Sequence, residues 1–356
     1  MRLSSVEVIP YALPFKRPYV TARGVLRARE MVLLRVRDED GVVGLGEAVP
    51  LALRGGTSLG QVVRELEEWA EHQWDEGLST PARCAVSVAR MDLLGRRMAD
   101  EGEGSHEAVP CNATLVAGEP KAVAADAEAW AADGFTTFKL KLGRESASTR
   151  IEDGLTRTRG AEDVGMVRAV REALGAEARI RVDANQAWDL ETAKERLSEL
   201  EPYGIELAEQ PVGTLDEMAE LAQATSIPLA ADESVASRAE AEEAATLGAC
   251  AYTGIKLSKV GGPEEALAIA DVLPAYITSA LDGPVGIAAA AQVALSLAET
   301  GHPERLHLAH GLATQRLFAE TIAAVECEVR DGMLHLPPGP GLGVEIDEDA
   351  LQAHRL

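Results

Sequence analysis

Along the second half of the chain, short apolar runs alternate with stretches whose apolar residues recur at helical spacing. The runs are brief enough to be buried parallel strands. Strands are expected near residues 136–141, 180–183, 205–209, 228–232, 252–256, 276–280 and 306–310, with amphipathic helices such as 215–224, 238–247 and 263–273 in the gaps. A first strand near Val109-Pro110-Cys111-Asn112-Ala113 brings the count to about eight. Strands and helices alternating in this way close into a parallel barrel. The segment 285–298 is apolar or small nearly all round, the pattern of a buried helix.

The first hundred residues follow another rhythm. Val6-Glu7-Val8-Ile9, Met31-Val32-Leu33-Leu34-Arg35-Val36 and residues 42–48 are strand-like, and Asp38-Glu39-Asp40-Gly41 has the composition of a hairpin turn. Helical spacing takes over at 61–77 and 81–98, and the second of these helices is rich in small residues that permit close packing. Strands followed by helices mark a separate α+β unit. The expected organisation is an N-terminal α+β capping domain at 1–105, a barrel at 106–324, and a strand-like, Gly/Pro-rich segment at 325–356 that packs back on the capping domain.

Composition narrows the partners. Hydrophobic residues make up 46% of the chain but aromatic residues only 4%, so the core is built from Ala, Val, Leu and Ile. A formal charge of -24 repels nucleic acid and anionic membrane surfaces at long range, and neither is expected as a partner. A small anionic substrate stays compatible, because a local cation and lysines outweigh a diffuse charge that salt screens within about 8 Å. Cys84, Cys111, Cys250 and Cys327 are scattered without a C-x-x-C pair and are expected to be reduced thiols in a cytoplasmic protein. No apolar h-region opens the chain, and no apolar stretch reaches the roughly 18 residues of a membrane span. Nothing in the pattern decides whether copies of the chain associate into a homo-oligomer.

The chemistry lies at the ends of the apolar runs. Asp183, Glu209, Asp232 and Lys256 each follow such a run, at spacings of 26, 23 and 24 residues, one βα unit per functional residue. A parallel barrel brings the C-terminal ends of its strands to one face, so these side chains converge. Three converging carboxylates repel one another and call for a divalent cation, and oxygen-only ligands favour a hard one such as Mg²⁺. Lys139 and Lys141 end another run and share one face of their strand, opposite Leu140. A metal with lysines beside it suits removal of a proton next to a carboxylate. One interval breaks the rhythm: Lys141 to Asp183 spans 42 residues, and the polar excess at 144–165 is expected in a loop at the mouth, as a partial lid or a plain surface insertion.

At these residues the chain resembles the enolase superfamily, in its muconate-lactonizing-enzyme subgroup. The likeness is carried by Phe138-Lys139-Leu140-Lys141-Leu142-Gly143, Arg181-Val182-Asp183-Ala184-Asn185-Gln186-Ala187-Trp188, Ala208-Glu209-Gln210-Pro211, Ala231-Asp232-Glu233-Ser234 and Ile255-Lys256-Leu257-Ser258-Lys259-Val260-Gly261-Gly262. It extends to Gly44-Leu45-Gly46-Glu47-Ala48 and to Pro337-Pro338-Gly339-Pro340-Gly341-Leu342-Gly343. The resemblance implies an α/β fold, a modified TIM barrel of (β/α)7β type with an N-terminal α+β capping domain. It also implies one Mg²⁺ held by Asp183, Glu209 and Asp232.

Ser279-Ala280-Leu281-Asp282-Gly283-Pro284-Val285-Gly286 and Ala309-His310-Gly311-Leu312-Ala313-Thr314-Gln315-Arg316 are most similar to the last strand ends of the o-succinylbenzoate synthases. The Asp-x-Asp pair with which dipeptide epimerases hold a substrate amine has no counterpart between Leu306 and Phe318. Asp282 stands where the family often has Glu, Gly283-Pro284 replaces a small polar pair, and the insertion after Lys141 is not standard.

Lys141 is the candidate base, its pKa expected to be lowered by burial beside Lys139 and the cation. Lys139 would orient the substrate carboxylate or depress that pKa. Lys256 arrives from the opposite side of the barrel as a second acid/base or a stabilising cation. Arg181, Ser279, Asp282, Tyr19 and Arg23 are candidate substrate contacts, although for Arg181 neutralising the ligand cluster is the favoured role. Asn185 and Glu233 are expected to support the ligands, and Lys259 is expected to be a solvated loop residue. Racemisation of N-succinylamino acids, dipeptide epimerisation and muconate-type cycloisomerisation use the same residues, and a non-catalytic barrel is the rival from another class.

Overall fold

The computed structural model describes residues 2–21, 24–51, 56–98, 107–143, 161–299 and 308–356. Arg23, and the insertion as far as residue 160, lie outside them. Residues 161–165, expected to belong to the insertion, open a helix instead.

The N-terminal strands β1 (Leu3–Thr21), β2 (Gly24–Asp38) and β3 (Val43–Ala48) form an antiparallel sheet in that order. β1 and β2 run much further than their apolar segments indicate, paired from Leu3↔Asp38 to Thr21↔Gly24 with a register shift between Pro14 and Tyr19. The prolines in β1 conceal its length in the sequence. They are tolerated because β1 lies at the sheet edge, where a missing N–H breaks no ladder on both sides. The far end of this long hairpin carries Tyr19 and Leu26 to the barrel mouth.

Helices α1 (Leu59–His72) and α2 (Thr80–Met98) cover the sheet over a core that includes Val32, Leu34, Leu66, Trp69, Ala85 and Leu93. α2 lies almost on the backbone of β3. A Cβ at Gly46 would come within 2.0 Å of the Ala85 carbonyl oxygen, so only glycine permits this approach.

Seven parallel strands follow in sequential order: β5 (Ala113–Leu115), β6 (Thr137–Lys141), β7 (Arg179–Asp183), β8 (Ile205–Glu209), β9 (Leu229–Ala231), β10 (Tyr252–Ile255) and β11 (Ala275–Ile277). The helices between them are α3 (Pro120–Ala132), α4 (Ala161–Leu174), α5 (Leu190–Leu200), α6 (Leu215–Ala224), α7 (Arg238–Leu247), the single turn α8 (Leu257–Val260) and α9 (Pro263–Ala270). α10 (Pro284–Glu299) follows β11 and is buried from Pro284 to Ala291, as its composition predicts, with Gln292, Leu295 and Ser296 half-buried further on.

Within the described residues, the eighth barrel position is held by two residues. His310 bridges Cys111 and Gly311 bridges Thr278, both in parallel sense. Asn112 N–H donates to the His310 carbonyl at 2.9 Å and Gly311 N–H to the Ile277 carbonyl at 2.8 Å, which closes the ring.

The segment expected to start the barrel, at 109–113, is divided: Ala113 opens β5, but its first residues pair elsewhere. β4 (Ala108–Pro110) pairs antiparallel with β14 (Met333–His335), itself paired with β13 (Glu328–Arg330). The later segment also contains β12 (Ala323–Val325), β15 (Glu345–Ile346) and α11 (Glu348–His354), and returns to the capping sheet. Arg355 bridges Tyr11, Leu356 N–H donates to the Pro10 carbonyl at 3.0 Å, and Ala319 N–H to the Pro14 carbonyl at 2.8 Å. All four cysteines are free thiols.

Candidate active site

The strand ends carry the charged residues because each strand alternates between barrel interior and helix layer. In β6, Leu140 is buried in the hydrophobic core, while Lys139 and Lys141 face the interior. Register then places Lys141 beside Asp183, and Asp183 beside Glu209. Asp232 directly follows β9, and Lys256 directly follows β10 as the cap of α8. Asp183, Glu209 and Asp232 are all buried.

An ammonium meets each carboxylate. Lys139 Nζ donates to both Glu209 oxygens at 3.0 and 3.1 Å and lies 3.4 Å from Asp183 Oδ2. Lys141 donates to Asp183 and, at 3.1 Å, to Asn185 Oδ1. Lys256 donates to Asp232 Oδ2. Tyr276 O–H donates to Glu209 Oε2 at 2.5 Å. Burial raises the Asp183 carboxyl, but Lys141 and Lys139 outweigh it and hold its pKa below the usual range. For Lys141 two influences oppose each other. Burial pushes its pKa down, yet the Asp183 carboxylate, with Tyr19 and Glu209, pushes it further up.

The outer positions divide. Asn185 N–H donates to Asp183 Oδ1 and its side-chain amide to Glu233 Oε1, both at 3.1 Å, so the two expected supporting residues brace each other and the ligand end of β7. Tyr19 and Ser279 line the cavity above the strand ends. Tyr19 is stacked on Phe15, which stacks in turn on Phe318.

Arg181 and Asp282 are corrections. Arg181 does point into the barrel, but two residues below Asp183, and it is fully buried there. It donates to Glu206 and, at 2.7 Å, to the Ala309 carbonyl, with its guanidinium 5.1 Å from the Tyr276 ring. Asp282 turns its carboxylate back into its own loop, accepting from Ser279 Oγ at 2.6 Å and Ala280 N at 2.7 Å. Neither lines the cavity.

Lys259 is a third correction. Instead of being solvated, it donates to the Asp232 carbonyl, to Asp232 Oδ1 at 3.2 Å and to the Val235 carbonyl at 2.8 Å, and it lines the cavity. Its place three residues after Lys256, across the one turn of α8, was the available signal. Arg29 and Leu26 of β2 also line the cavity, and nothing in the sequence marks them until the length of the hairpin is known. Gln210 was missed as well: its side-chain oxygen accepts from Asp232 N at 2.8 Å and Ser234 N at 3.1 Å, which fixes the backbone of the third carboxylate.

Residues 122–350 match the family model described as Enolase C-terminal domain-like, and residues 4–100 match the N-terminal domain of the mandelate racemase / muconate lactonizing enzyme family. The chain belongs to the enolase superfamily. Its place is in the muconate-lactonizing-enzyme subgroup. It is 36% identical over 214 residues to an o-succinylbenzoate synthase of Thermobifida fusca, covering 60% of this chain and 61% of that one. It is 26% identical over 384 residues to an N-succinyl-L-Arg/Lys racemase of Bacillus cereus, covering 99% and 97%. Among solved structures, the dipeptide epimerase of Cytophaga hutchinsonii complexed with Mg and the dipeptide D-Ala-L-Val superposes with a TM-score of 0.85 at 25% identity, covering 99% of this chain and 98% of that one.

Whether an enolase-superfamily cation fits this chain is decided by the donor set. Among the described residues, no three ligating side chains already stand in a coordination sphere. Asp183, Glu209 and Asp232 are instead closed onto lysines. The set is nevertheless right for a hard divalent ion: three carboxylates, oxygen donors only, on adjacent strand ends. Lys139 already bridges two of them, so positive charge between Asp183 and Glu209 is stabilised by the fold.

Proposed function

We propose that this enolase-superfamily enzyme is an Mg²⁺-dependent dehydratase that forms o-succinylbenzoate from 2-succinyl-6-hydroxy-2,4-cyclohexadiene-1-carboxylate. The observation that carries this reading is the charge of the cavity wall. The cavity, of about 460 Å³, is lined by Lys139, Lys141, Lys256, Lys259 and Arg29, and by one acid among the described residues, Glu233, which accepts from Asn185. Gly311 and Thr314 line the end where an epimerase would present acids to a substrate amine. Such a wall suits a dicarboxylate without an ammonium group. The similarity to the Thermobifida fusca synthase supports the same substrate class.

Asp183, Glu209 and Asp232 would hold the cation. Bound there, Mg²⁺ supplies Lewis-acid stabilisation of the charge that develops as the proton beside the substrate carboxylate leaves. Lys141 Nζ takes that proton and delivers it to the departing hydroxyl on the same face. With Asp183 turned to the cation, the largest of the groups that raise the proton affinity of Lys141 is withdrawn, and burial, which lowers it, counts for more. Lys256 lies four strands round the sheet from β6, half the circumference of an eight-position barrel, and stays cationic against the opposite face of the planar intermediate. Tyr19, Leu26 and Leu51 close the cavity from the capping side and exclude water.

An absorbance assay for o-succinylbenzoate, run with Mg²⁺ on wild type, Lys141→Ala and Lys256→Ala, tests the reading. Turnover abolished by either change supports it. A folded, Mg²⁺-binding wild type that turns nothing over rejects the substrate. The second reading, racemisation of an N-succinylamino acid, rests on the Bacillus cereus relative and uses both lysines in exchange on opposite faces. Solvent deuterium entering the α position without loss of water is its signature. No helix among the described residues is long and apolar enough to cross a membrane.

A further inference from the structure

Glu47 is a carboxylate with no part in the chemistry above, and it is buried where β3 of the capping domain meets the start of α10. Its Oε1 accepts Gly283 N–H at 2.7 Å and its Oε2 accepts Tyr11 O–H at 2.9 Å. Gly286 N–H donates to it as well. The fit leaves no spare space. A Cβ at Gly283 would lie 2.3 Å from the Tyr11 hydroxyl and 2.7 Å from Glu47 Oε2, and one at Gly286 would lie 2.7 Å from Glu47 Oε1. Glycine at both positions is what Glu47 requires.

The residues just before this junction form part of the cavity wall. Ser279, Ala280 and Leu281 line the cavity. Their loop is tied to itself by Ser279 Oγ, which accepts from Leu281 N and Asp282 N at 2.9 Å each, and by the Asp282 carboxylate. Leu281 has φ +67°, a left-handed conformation that a leucine keeps only where its surroundings impose it. The exit of the loop, Gly283, is held by Glu47 through its N–H.

We infer that Glu47 is a positioning residue: from the capping domain, it fixes the exit of the 279–283 loop and so holds the strained wall of the cavity in place. The inference does not depend on which carboxylate the cavity takes. Burial first, and Asp282 second, raise the Glu47 pKa to about 7, so its charge changes in the neutral range. The titratable groups facing it are Tyr11 from β1, Cys84 from α2 and Asp282 from the loop, with Glu326 beyond Tyr11 and Glu264 beyond Cys84. Ionised Glu47 accepts charge-assisted bonds from the N-terminus of α10, and these weaken on protonation.

The test is amide hydrogen exchange read by mass spectrometry on the full chain, corrected for intrinsic rates, from pH 6 to pH 8. Wild type, Glu47→Gln and Tyr11→Phe are compared. Opening of the loop alone breaks the bonds to Glu47 while Glu47 stays buried, so in wild type the local protection of residues 280–283 is expected to rise through pH 7 even as global stability falls. In Glu47→Gln this protection is expected to stay flat at the acid level of wild type, about tenfold below wild type at pH 8, while β8 keeps its protection. Tyr11→Phe removes a hydrogen bond that favours the ionised form, so the midpoint moves to higher pH. Equal protection in wild type and Glu47→Gln at pH 8 would overturn the inference. So would a loss spread evenly over β1, β2, β3 and α10, the mark of a purely structural residue. A wild type without o-succinylbenzoate turnover rejects the proposed substrate and leaves this measurement unaffected.

Discussion

His310 gives a quantitative prediction about the seam of the barrel. Its ring is buried, and its Nδ1 accepts Ile277 N–H at 3.0 Å, so the neutral tautomer is built into the closure. Burial, helped by the neighbouring Arg181 guanidinium, pushes its pKa down to about 3. The unfolded chain has an ordinary histidine near 6.5. A depressed pKa means that the stability is present above the unfolded value and is lost as pH falls through the window between the two. From pH 8 to pH 5 the unfolded state gains about 2 kcal/mol from protonation that the folded state cannot match. For a chain of 356 residues this corresponds to about 3 °C in Tm. His310→Asn keeps an acceptor atom at the same distance along the side chain and removes the titration. The variant will be less stable at every pH because the ring volume is lost, so the slope is what matters. Melts of both proteins at pH 5, 6, 7 and 8 should converge by about 3 °C toward acid. Parallel curves would show that the neutral imidazole does not govern acid stability.

Glu47 acts with the opposite sign: its folded pKa of about 7 lies above its ordinary 4.5, so stability is full below pH 4.5 and falls as pH rises through 7, by about 3 kcal/mol in all. Glu47→Gln should flatten that decline in denaturant melts taken from pH 5 to pH 8. Lys139→Met leaves Asp183 and Glu209 without their bridging ammonium and should cost about 3–5 kcal/mol of stability; a loss under about 1 kcal/mol in urea melts would mean that the pair is not held as described. Asp232→Asn removes one expected ligand and the partner of two lysines, and calorimetric Mg²⁺ affinity should fall at least about tenfold with the fold retained by circular dichroism. Gly46→Ala drives a methyl against the Ala85 carbonyl and should lower stability by about 3 kcal/mol, read from the thermal midpoint.

The barrel and its charged strand ends were legible because a buried strand is apolar until the position where it meets the site. Asp183, Glu209 and Lys256 each interrupt such a run, and the repeat length places them on one rim. What the one-dimensional pattern does not contain is depth and direction. Arg181 shares the inward face with Asp183, yet the two-residue offset drops it into the layer occupied by Tyr276. Asp282 has the right neighbours in sequence for a substrate contact, but a three-residue turn folds it back on Ser279. The strongest charge acting on Lys141 is that of Asp183, 42 residues away in the chain, which no local pattern around Lys139 and Lys141 contains. The length of β1 was hidden by prolines, which are unfavourable within a sheet but acceptable on its edge. With the hairpin shortened, Arg29 and Leu26 had no route to the cavity.

That edge has a consequence for solubility. A strand of 19 residues with one free side is a template on which another chain can add. Here Pro10, Pro14 and Pro18 remove donors from it, and Leu356, Arg355 and Ala319 occupy part of it through the Pro10 carbonyl, Tyr11 and the Pro14 carbonyl. The last two residues of this sequence thus act as a cover for the first strand. A version shortened by Arg355 and Leu356 would keep every group of the cavity and yet present an open β edge, so its failure would be one of aggregation before any loss of chemistry.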